Sequence, residues 1–437
     1  TNPERRMAPN LPYAAALLMA ALAMVSVEAI DNGKGITPPM GWRSWNLYGI
    51  NVDQELIEGV MDAFAAKKRE VDGVKKSLCD LGYCDIGLDD GWQLCGSYGQ
   101  NNYTYHNPMG LPIVNEARFS DLKAMTNKAH SLNLTAGWYL NNCACKDHCG
   151  NNKDDGETDT KCYVGDVGAL YEFGFDSVKL DGCGFQRDLT LWASLMNSTG
   201  RSIMIENCHW GGTVPNATWC PWNYYRTSGD IRANFGSVMS NLATTNQWAQ
   251  KGLSKPGCWA YPDMLEVGCQ HGPGGKSDPG LSEAETRTHF GAWCITSSPL
   301  FLSMDPRNDT VMDAVWPVIS NPEALEVSKA WFGHSGSPFA SSSKIVNLEI
   351  ESLEYEMASW HFYYKPIDSK RTAVLLINAD SNNQDLEFKF ESVPNLACKK
   401  CKIRDVWNRK DIGVFQDSYK ATGVESHDSA FLMISPA

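Results

Sequence analysis

Ser177-Val178-Lys179-Leu180-Asp181-Gly182-Cys183 is a short apolar run that stops at an acidic residue and a Gly-containing turn. Runs of the same kind recur at residues 41–45, 84–88, 135–140, 202–205, 224–227, 258–261 and 294–297, which with 177–180 makes eight. Between several of them lie segments of helical length and period. One covers residues 54–68; another covers 119–132, with Ser120 as the predicted N-cap. Strands that alternate with helices predict parallel βα units. Eight such units between residues 38 and 300 predict a (β/α)8 TIM barrel. An open doubly wound sheet is the competing arrangement, weakened because no Gly-rich phosphate loop follows the first strand.

The texture changes near residue 330. Gly333-His334-Ser335-Gly336-Ser337-Pro338 and the serines 341–343 read as a linker. Beyond it the runs 344–350, 355–364, 372–378 and 385–390 alternate with period two, which predicts a C-terminal antiparallel β-sandwich. The expected division is residues 30–328 for the barrel and 329–437 for the sandwich. Arg5 and Arg6 precede an apolar stretch from Leu11 to Val25, and Val27-Glu28-Ala29 offers a small-residue cleavage site. Residues 1–29 therefore read as a signal peptide, with those ahead of Met7 as extra upstream residues. Sequons at Asn102, Asn133, Asn197, Asn216 and Asn308, together with 15 cysteines, agree with the secretory pathway, ending outside the cell or in a lysosome or vacuole. The odd count leaves a thiol free, and Cys294 is the candidate for a buried one. A net charge of −13 argues against nucleic acid as a partner, and no later stretch predicts stable membrane insertion. With 43% hydrophobic residues the 437-residue chain is globular rather than disordered.

In a barrel of this kind the reactive groups sit where the strands end. Here the strand ends read Asp89-Asp90-Gly91-Trp92, Trp138-Tyr139-Leu140-Asn141, Lys179-Leu180-Asp181, Glu206-Asn207-Cys208-His209-Trp210, Arg226-Thr227-Ser228-Gly229-Asp230 and Pro262-Asp263-Met264. Any single Asp-Gly is more simply a turn. Carboxyls converging on one rim from several strands are what cleavage of a glycosidic bond needs: one to attack, one to protonate, others to hold hydroxyls. Lys179 and Asp181 are two apart on a strand and share a side, so the lysine favours an ionised, nucleophilic aspartate. Asp230 is the candidate second carboxyl.

Pro38-Pro39-Met40-Gly41-Trp42 with Ser44-Trp45-Asn46, then Asp89-Asp90-Gly91-Trp92, Lys179-Leu180-Asp181-Gly182-Cys183, Arg226 with Asp230-Ile231, and Pro262-Asp263-Met264-Leu265 together resemble glycoside hydrolase family 27. The resemblance implies a retaining, exo-acting α-galactosidase that works by double displacement through a covalent glycosyl-aspartate. Asp181 would be the nucleophile and Asp230 the acid/base. Trp42, Asp89, Asp90, Tyr139, Lys179, Cys183, Trp210, Arg226, Asp263 and Met264 would bind the substrate, an α-galactoside of an oligosaccharide, lipid or other glycoside. The Asp89-Asp90 pair would clasp the 4- and 6-hydroxyls. No cofactor and no metal are implied, and a homodimer is left open. Two departures stand out: Gly91 replaces a frequent Cys, and His209 stands where many α-galactosidases carry Glu. With the small Gly211-Gly212 pair, the second keeps an α-N-acetylgalactosaminidase or another family 27 α-glycosidase as the alternative; a sugar-binding protein without catalysis is the alternative of another class. Cys143, Cys145 and Cys149 are read as disulfide partners, one of them of Cys183, rather than as a zinc cluster with His148. Cys208–Cys220 and Cys398–Cys401 are the other expected pairs.

Overall fold

A computed structural model of the chain describes residues 30–96, 104–147, 149 and 160–437. The leader read at residues 1–29, Asn102 and His148 lie outside the described residues. Eight strands form one parallel sheet in chain order: β1 Met40–Arg43, β2 Asp85–Gly87, β3 Thr135–Leu140, β4 Ser177–Asp181, β5 Met204–Cys208, β6 Tyr224–Arg226, β7 Trp259–Tyr261 and β8 Leu300–Leu302. The sheet curls shut. β8 pairs with β1 (Gly41 opposite Phe301), and just past β7 Leu265 bridges to Leu302, its N–H donating to the Phe301 carbonyl at 2.7 Å.

The helices follow their apolar spacing and caps. Helix α1, Gln54–Ala65, buries Ile57, Val60, Met61 and Phe64, one stripe at helical spacing, and Asp53 caps it by accepting from the Leu56 N–H at 2.8 Å. Helix α2, Leu122–Ser131, is capped by Asp121, which accepts from Ala124, and not by the expected Ser120. Helices α3, Thr160–Phe173, and α4, Leu189–Ser198, flank β4. No helix separates β5 from β6 among the described residues, and loop 209–223 takes its place. Helix α5, Phe235–Ala243, follows β6.

The eighth strand is displaced from the predicted place. Residues 294–295 end helix α6, Glu283–Ile295, and the strand begins at Leu300. Continuous apolar runs do not separate a buried strand from a helix buried on all sides, and α6 is the latter: every residue from Thr288 to Ile295 is buried. Its start carries a capping box, with the Ser282 hydroxyl and the Glu285 carboxylate each accepting the other's backbone N–H. Helices α7, Asp309–Ile319, and α8, Pro322–Lys329, complete the barrel.

The sandwich explains why α6 is buried. Its strands are β9 Ser337–Ser341, β10 Ile345–Ile350, β11 Leu353–Ala358, β12 Trp360–Pro366, β13 Thr372–Asn378, β14 Gln384–Lys389, β15 Lys400–Asp405, β16 Lys410–Gln416, β17 Ser418–Val424 and β18 Ser429–Pro436. Six of them form an antiparallel sheet in the order β9-β12-β13-β18-β15-β16, and β14 pairs with β17. Along β13, Val374 and Leu376 join the sandwich core, while Ala373, Leu375 and Ile377 join the barrel core. The predicted linker holds strand β9, and the predicted strand 355–364 is divided at Ser359 between β11 and β12.

Gly336 turns the chain from barrel to sandwich at φ 99°, and a Cβ there would lie 1.7 Å from the Ile295 carbonyl oxygen at the end of α6. Gly336→Ala should therefore cost about 2–4 kcal/mol of stability. Denaturant unfolding checks this; a loss under about 0.5 kcal/mol, the range of an ordinary surface change, would contradict the crowding.

Candidate active site

The β1–β7 ends bring the acidic residues to one mouth. On β4 the strand alternation turns Lys179 and Asp181 the same way, as expected, and both are buried. Lys179 donates to Asp89 Oδ2 at 2.8 Å. Burial works against the lysine's charge, but Asp89, Asp181 and Glu206 outweigh it and hold its pKa well above the usual value. Asp181 accepts from the Tyr139 hydroxyl at 3.0 Å and from the Cys183 N–H at 3.2 Å, and its carbonyl accepts from the Asn141 amide. Burial pushes the Asp181 carboxyl up to about 7, against the pull of Lys179. The ionising influence expected of Lys179 is present, but desolvation exceeds it.

Asp90 is buried beside Asp89 and accepts from the N–H groups of Cys143 (3.1 Å) and Ala144 (2.7 Å); burial raises its pKa in spite of them. Across the mouth, one Arg226 nitrogen meets Asp230 Oδ1 at 3.0 Å and Asp263 Oδ2 at 2.9 Å. Asp230 is the open member of the set, its side chain 37% exposed. What burial it has raises its pKa, but Arg226, Lys179 and the Trp210 indole N–H (3.2 Å) together bring it below the usual carboxylate range. Asp263 is fully buried, and burial raises its carboxyl despite Arg226. It holds φ 87°, a strained value for a non-Gly residue. Its carboxylate accepts from the Ile231 N–H and its carbonyl from the Trp293 indole, so the surroundings fix the strain.

Trp210 also has positive φ, 48°, and is half-exposed, its ring lying over Gly182. Trp42 is buried and donates from its indole to the Met304 carbonyl at 2.8 Å, which ties β1 to the segment after β8. Met264 belongs to an apolar cluster inside the barrel with Tyr224, Trp259, Tyr261 and Phe301. Trp42 and Met264 are thus packed in apolar clusters, and the other ten candidates are joined to one another by hydrogen bonds, ion pairs or the disulfide.

Cys183 pairs with Cys143, Cys145 with Cys95, and Cys149 with Cys162, so the cysteine-rich segment is a disulfide framework; Cys398–Cys401 also forms. The expected Cys208–Cys220 bond does not. Cys208 ends β5 inside the mouth, with its sulfur 3.5 Å from Arg226 Nη1, whereas Cys220 lies one loop away and pairs with Cys258. Cys208, Cys269 and Cys294 are free and buried. The sequence reading gave no role to Asn141, Arg43 or Glu206. Arg43 and Glu206 meet at the Tyr224 hydroxyl below the site, 3.0 Å from each. Glu206 stood in a strand-end motif; Arg43 had no signal beyond the strand itself.

The model of a family described as Alpha galactosidase A matches residues 37–327, and one described as Alpha galactosidase C-terminal beta sandwich domain matches residues 358–434. The chain belongs to the alpha-galactosidase A family. It is 28% identical to an alpha-galactosidase of Oryza sativa subsp. japonica, over 94% of this chain and 87% of that one. It is 30% identical to an alpha-galactosidase of Coffea arabica, over 93% of this chain and 96% of that one. In fold it resembles an alpha-galactosidase from Saccharomyces cerevisiae, with a TM-score of 0.73 at 19% identity, covering 94% of this chain and 100% of that one. Membership in the alpha-galactosidase A family makes the protein a glycoside hydrolase.

The raised Asp181 pKa has a consequence for stability. Between pH 3.8, the ordinary value, and about 7, the folded protein keeps a proton on Asp181 that the unfolded chain has released. Folding then binds more protons than unfolding, so this group's contribution to stability falls as pH rises through that window. Asp181→Asn removes the penalty. The variant should gain over the wild type by a few kcal/mol more at pH 7 than at pH 4, since each tenfold change in proton affinity is worth about 1.4 kcal/mol. Urea unfolding of both proteins at the two pH values measures this, and a stability difference that does not depend on pH would contradict the raised pKa.

Proposed function

We propose that the protein is a retaining, exo-acting α-galactosidase, in which Asp181 attacks the anomeric carbon and Asp230 serves as acid and then base. The observation that carries this reading is the contrast between two carboxyls that feel each other's charge: Asp181 sealed among Lys179 and Tyr139, Asp230 open to solvent on Arg226. Before a sugar binds, the proton favours Asp181, which is the reverse of what attack requires. A bound sugar corrects this. It takes water away from the exposed Asp230 and raises its pKa, while Asp181 has little solvent left to lose. The shared proton moves to Asp230, and Lys179 and the Tyr139 hydroxyl support the ionised Asp181. Once Asp181 is esterified it is neutral, its repulsion on Asp230 vanishes, and Asp230 falls back to a base that activates water.

Asp89, Asp90, Lys179, Arg226 and Asp263 are assigned to the sugar hydroxyls, with Trp42, Tyr139, the Cys143–Cys183 disulfide, Trp210 and Met264 as walls. The solved yeast relative was also obtained with raffinose, an interaction stated of that protein, which agrees with an α-galactoside substrate here. His209 is held neutral above about pH 4 by burial and Arg187, with Nδ1 against the Thr213 hydroxyl at 2.9 Å. A neutral imidazole beside Gly211-Gly212 keeps N-acetylgalactosamine as the second substrate to test. The same reading assigns residues 30–328 to catalysis, 329–437 to the sandwich and 1–29 to a cleaved leader of a secretory protein. Six disulfides and the exposed sequons at Asn133, Asn197, Asn216 and Asn308 support that route.

Asp181→Asn should lower kcat on p-nitrophenyl α-galactoside by about four orders of magnitude or more, since an amide is no nucleophile. Asp230→Ala should lose less on that substrate than on an alkyl galactoside, whose leaving group needs a proton. Azide should rescue Asp230→Ala and yield the α-galactosyl azide. Proton NMR of the first-formed product should show the α anomer; the β anomer would mean inversion and remove Asp181 from its role. Faster hydrolysis of the N-acetylgalactosaminide would move the protein to the second substrate.

A further inference from the structure

His106 lies outside the carboxylate cluster and has no part in the reaction above, yet it is buried between two aspartates. Its Nε2 meets Asp166 Oδ1 at 3.1 Å, and its Nδ1 meets a carboxylate oxygen of Asp147. An imidazole can donate to a carboxylate from both nitrogens only as the imidazolium. Burial opposes that charge, but the two aspartates outweigh it and push the pKa up to about 9. His106 is therefore a cation through the acidic and neutral range.

The two aspartates lead in different directions. Asp166 lies on helix α3 and accepts from the Gln186 side-chain amide at 2.8 Å. The Gln186 N–H in turn donates to Asn141 Oδ1 at 3.0 Å, and the Asn141 amide donates to the Asp181 carbonyl. This side is an anchor fixed to a helix and a strand end. Asp147 lies on the segment after β3 that has no regular structure. That segment supplies the Cys143 and Ala144 N–H groups to Asp90. Its disulfides to Cys95 and Cys183, and that of Cys149 to Cys162 on helix α3, limit how far it can travel, but a disulfide leaves backbone peptides free to rotate, and amide direction is what Asp90 depends on.

We propose that His106 is a positioning residue: its imidazolium clamps Asp147 to helix α3 and so aims the Cys143 and Ala144 N–H groups at Asp90. The inference rests on the reading of Asp90 as a sugar-binding carboxylate. A clamp of this kind acts on ground-state grip more than on bond making, so it should appear in KM and in the affinity for D-galactose.

The test compares the full-length wild type with His106→Gln and Asp147→Asn, using p-nitrophenyl α-galactoside as substrate and D-galactose as competitive inhibitor, well below each protein's melting temperature. Both variants should raise KM and the galactose Ki together by about tenfold or more, with kcat within about threefold. In an Asp90→Asn background, Asp147→Asn should add less than about twofold, because residues acting through one contact are not additive. Asp147→Asn removes a buried charge instead of stranding one, so it carries the measurement if His106→Gln does not fold. Lowered melting temperatures with KM and Ki within about twofold of wild type would mean a structural role only and overturn the proposal. A wild type inactive on the galactoside would overturn the functional reading and this proposal with it, whereas an active wild type matched by its variants would overturn this proposal alone.

Discussion

The Lys179 ammonium is the charge on which the barrel mouth depends. It is buried, 2.8 Å from Asp89, and its field lowers the pKa of Asp181, Glu206, Asp230 and Asp263 as well. Buried carboxylates without a nearby cation take up protons or destabilise the fold. With the lysine shared by so many acids, Asp181, Glu206 and Asp263 all remain raised, and only Asp230, which also has Arg226 and more solvent, falls below the usual range. That partial compensation favours the protonated form of these buried carboxyls. Arg226 repeats the arrangement on the other side, where one nitrogen bridges a buried aspartate and an exposed one.

Much of this was legible because parallel barrels put chemistry at strand ends. Seven of the eight strands overlap their predicted places, and the acidic residues just beyond them do meet. What resisted reading was set by tertiary surroundings. The run Gly291-Ala292-Trp293-Cys294-Ile295 is apolar throughout because α6 is covered by barrel on one side and sandwich on the other. A pattern with no polar face carries no period. The Cys208–Cys220 pairing failed for a related reason. Sequence distance is short, but β5 carries Cys208 into the mouth and the loop returns Cys220 toward Cys258. Likewise, His106 is one histidine in a long connection after β2, and only the folded chain brings Asp147 and Asp166 to it.

The sandwich is joined to the barrel by more than a linker. Leu375 of β13 and Trp407 close on Gly291 of α6, where a larger residue would part the two layers. Tyr355 of the β10–β11 hairpin presses its ring on Gly236 in α5, the helix that begins five residues after Asp230. Arg232, between them, pairs with Asp278 of the barrel and with Glu351 at the hairpin turn. The loop that carries Asp230 is therefore held from below by Asp263 and from outside by the second β layer.

These constraints bear on how one rim could support the two carboxyl roles proposed above. Asp181 and Asp230 are the same residue type under the influence of the same lysine. They differ in how far water reaches them, and that difference follows from backbone placement: Asp181 is the last residue of a strand, inside the curl of the sheet, while Asp230 lies four residues past the end of β6 on a loop. A strand residue in a closed barrel is desolvated by its neighbours before any ligand arrives, so its pKa is set by the fold. A loop residue at the mouth still has solvent to lose, so its pKa is set by the ligand. A carboxyl whose proton affinity rises when the sugar binds is suited to act as the acid, and it reverts to a base once the esterified Asp181 no longer repels its charge. Asp181 gives up its proton as Asp230 takes one, and Lys179 and Tyr139 are in place from the start to hold the charge left behind. The division of labour proposed for the pair thus needs no difference in side-chain chemistry, only one carboxyl inside the barrel and one at its edge.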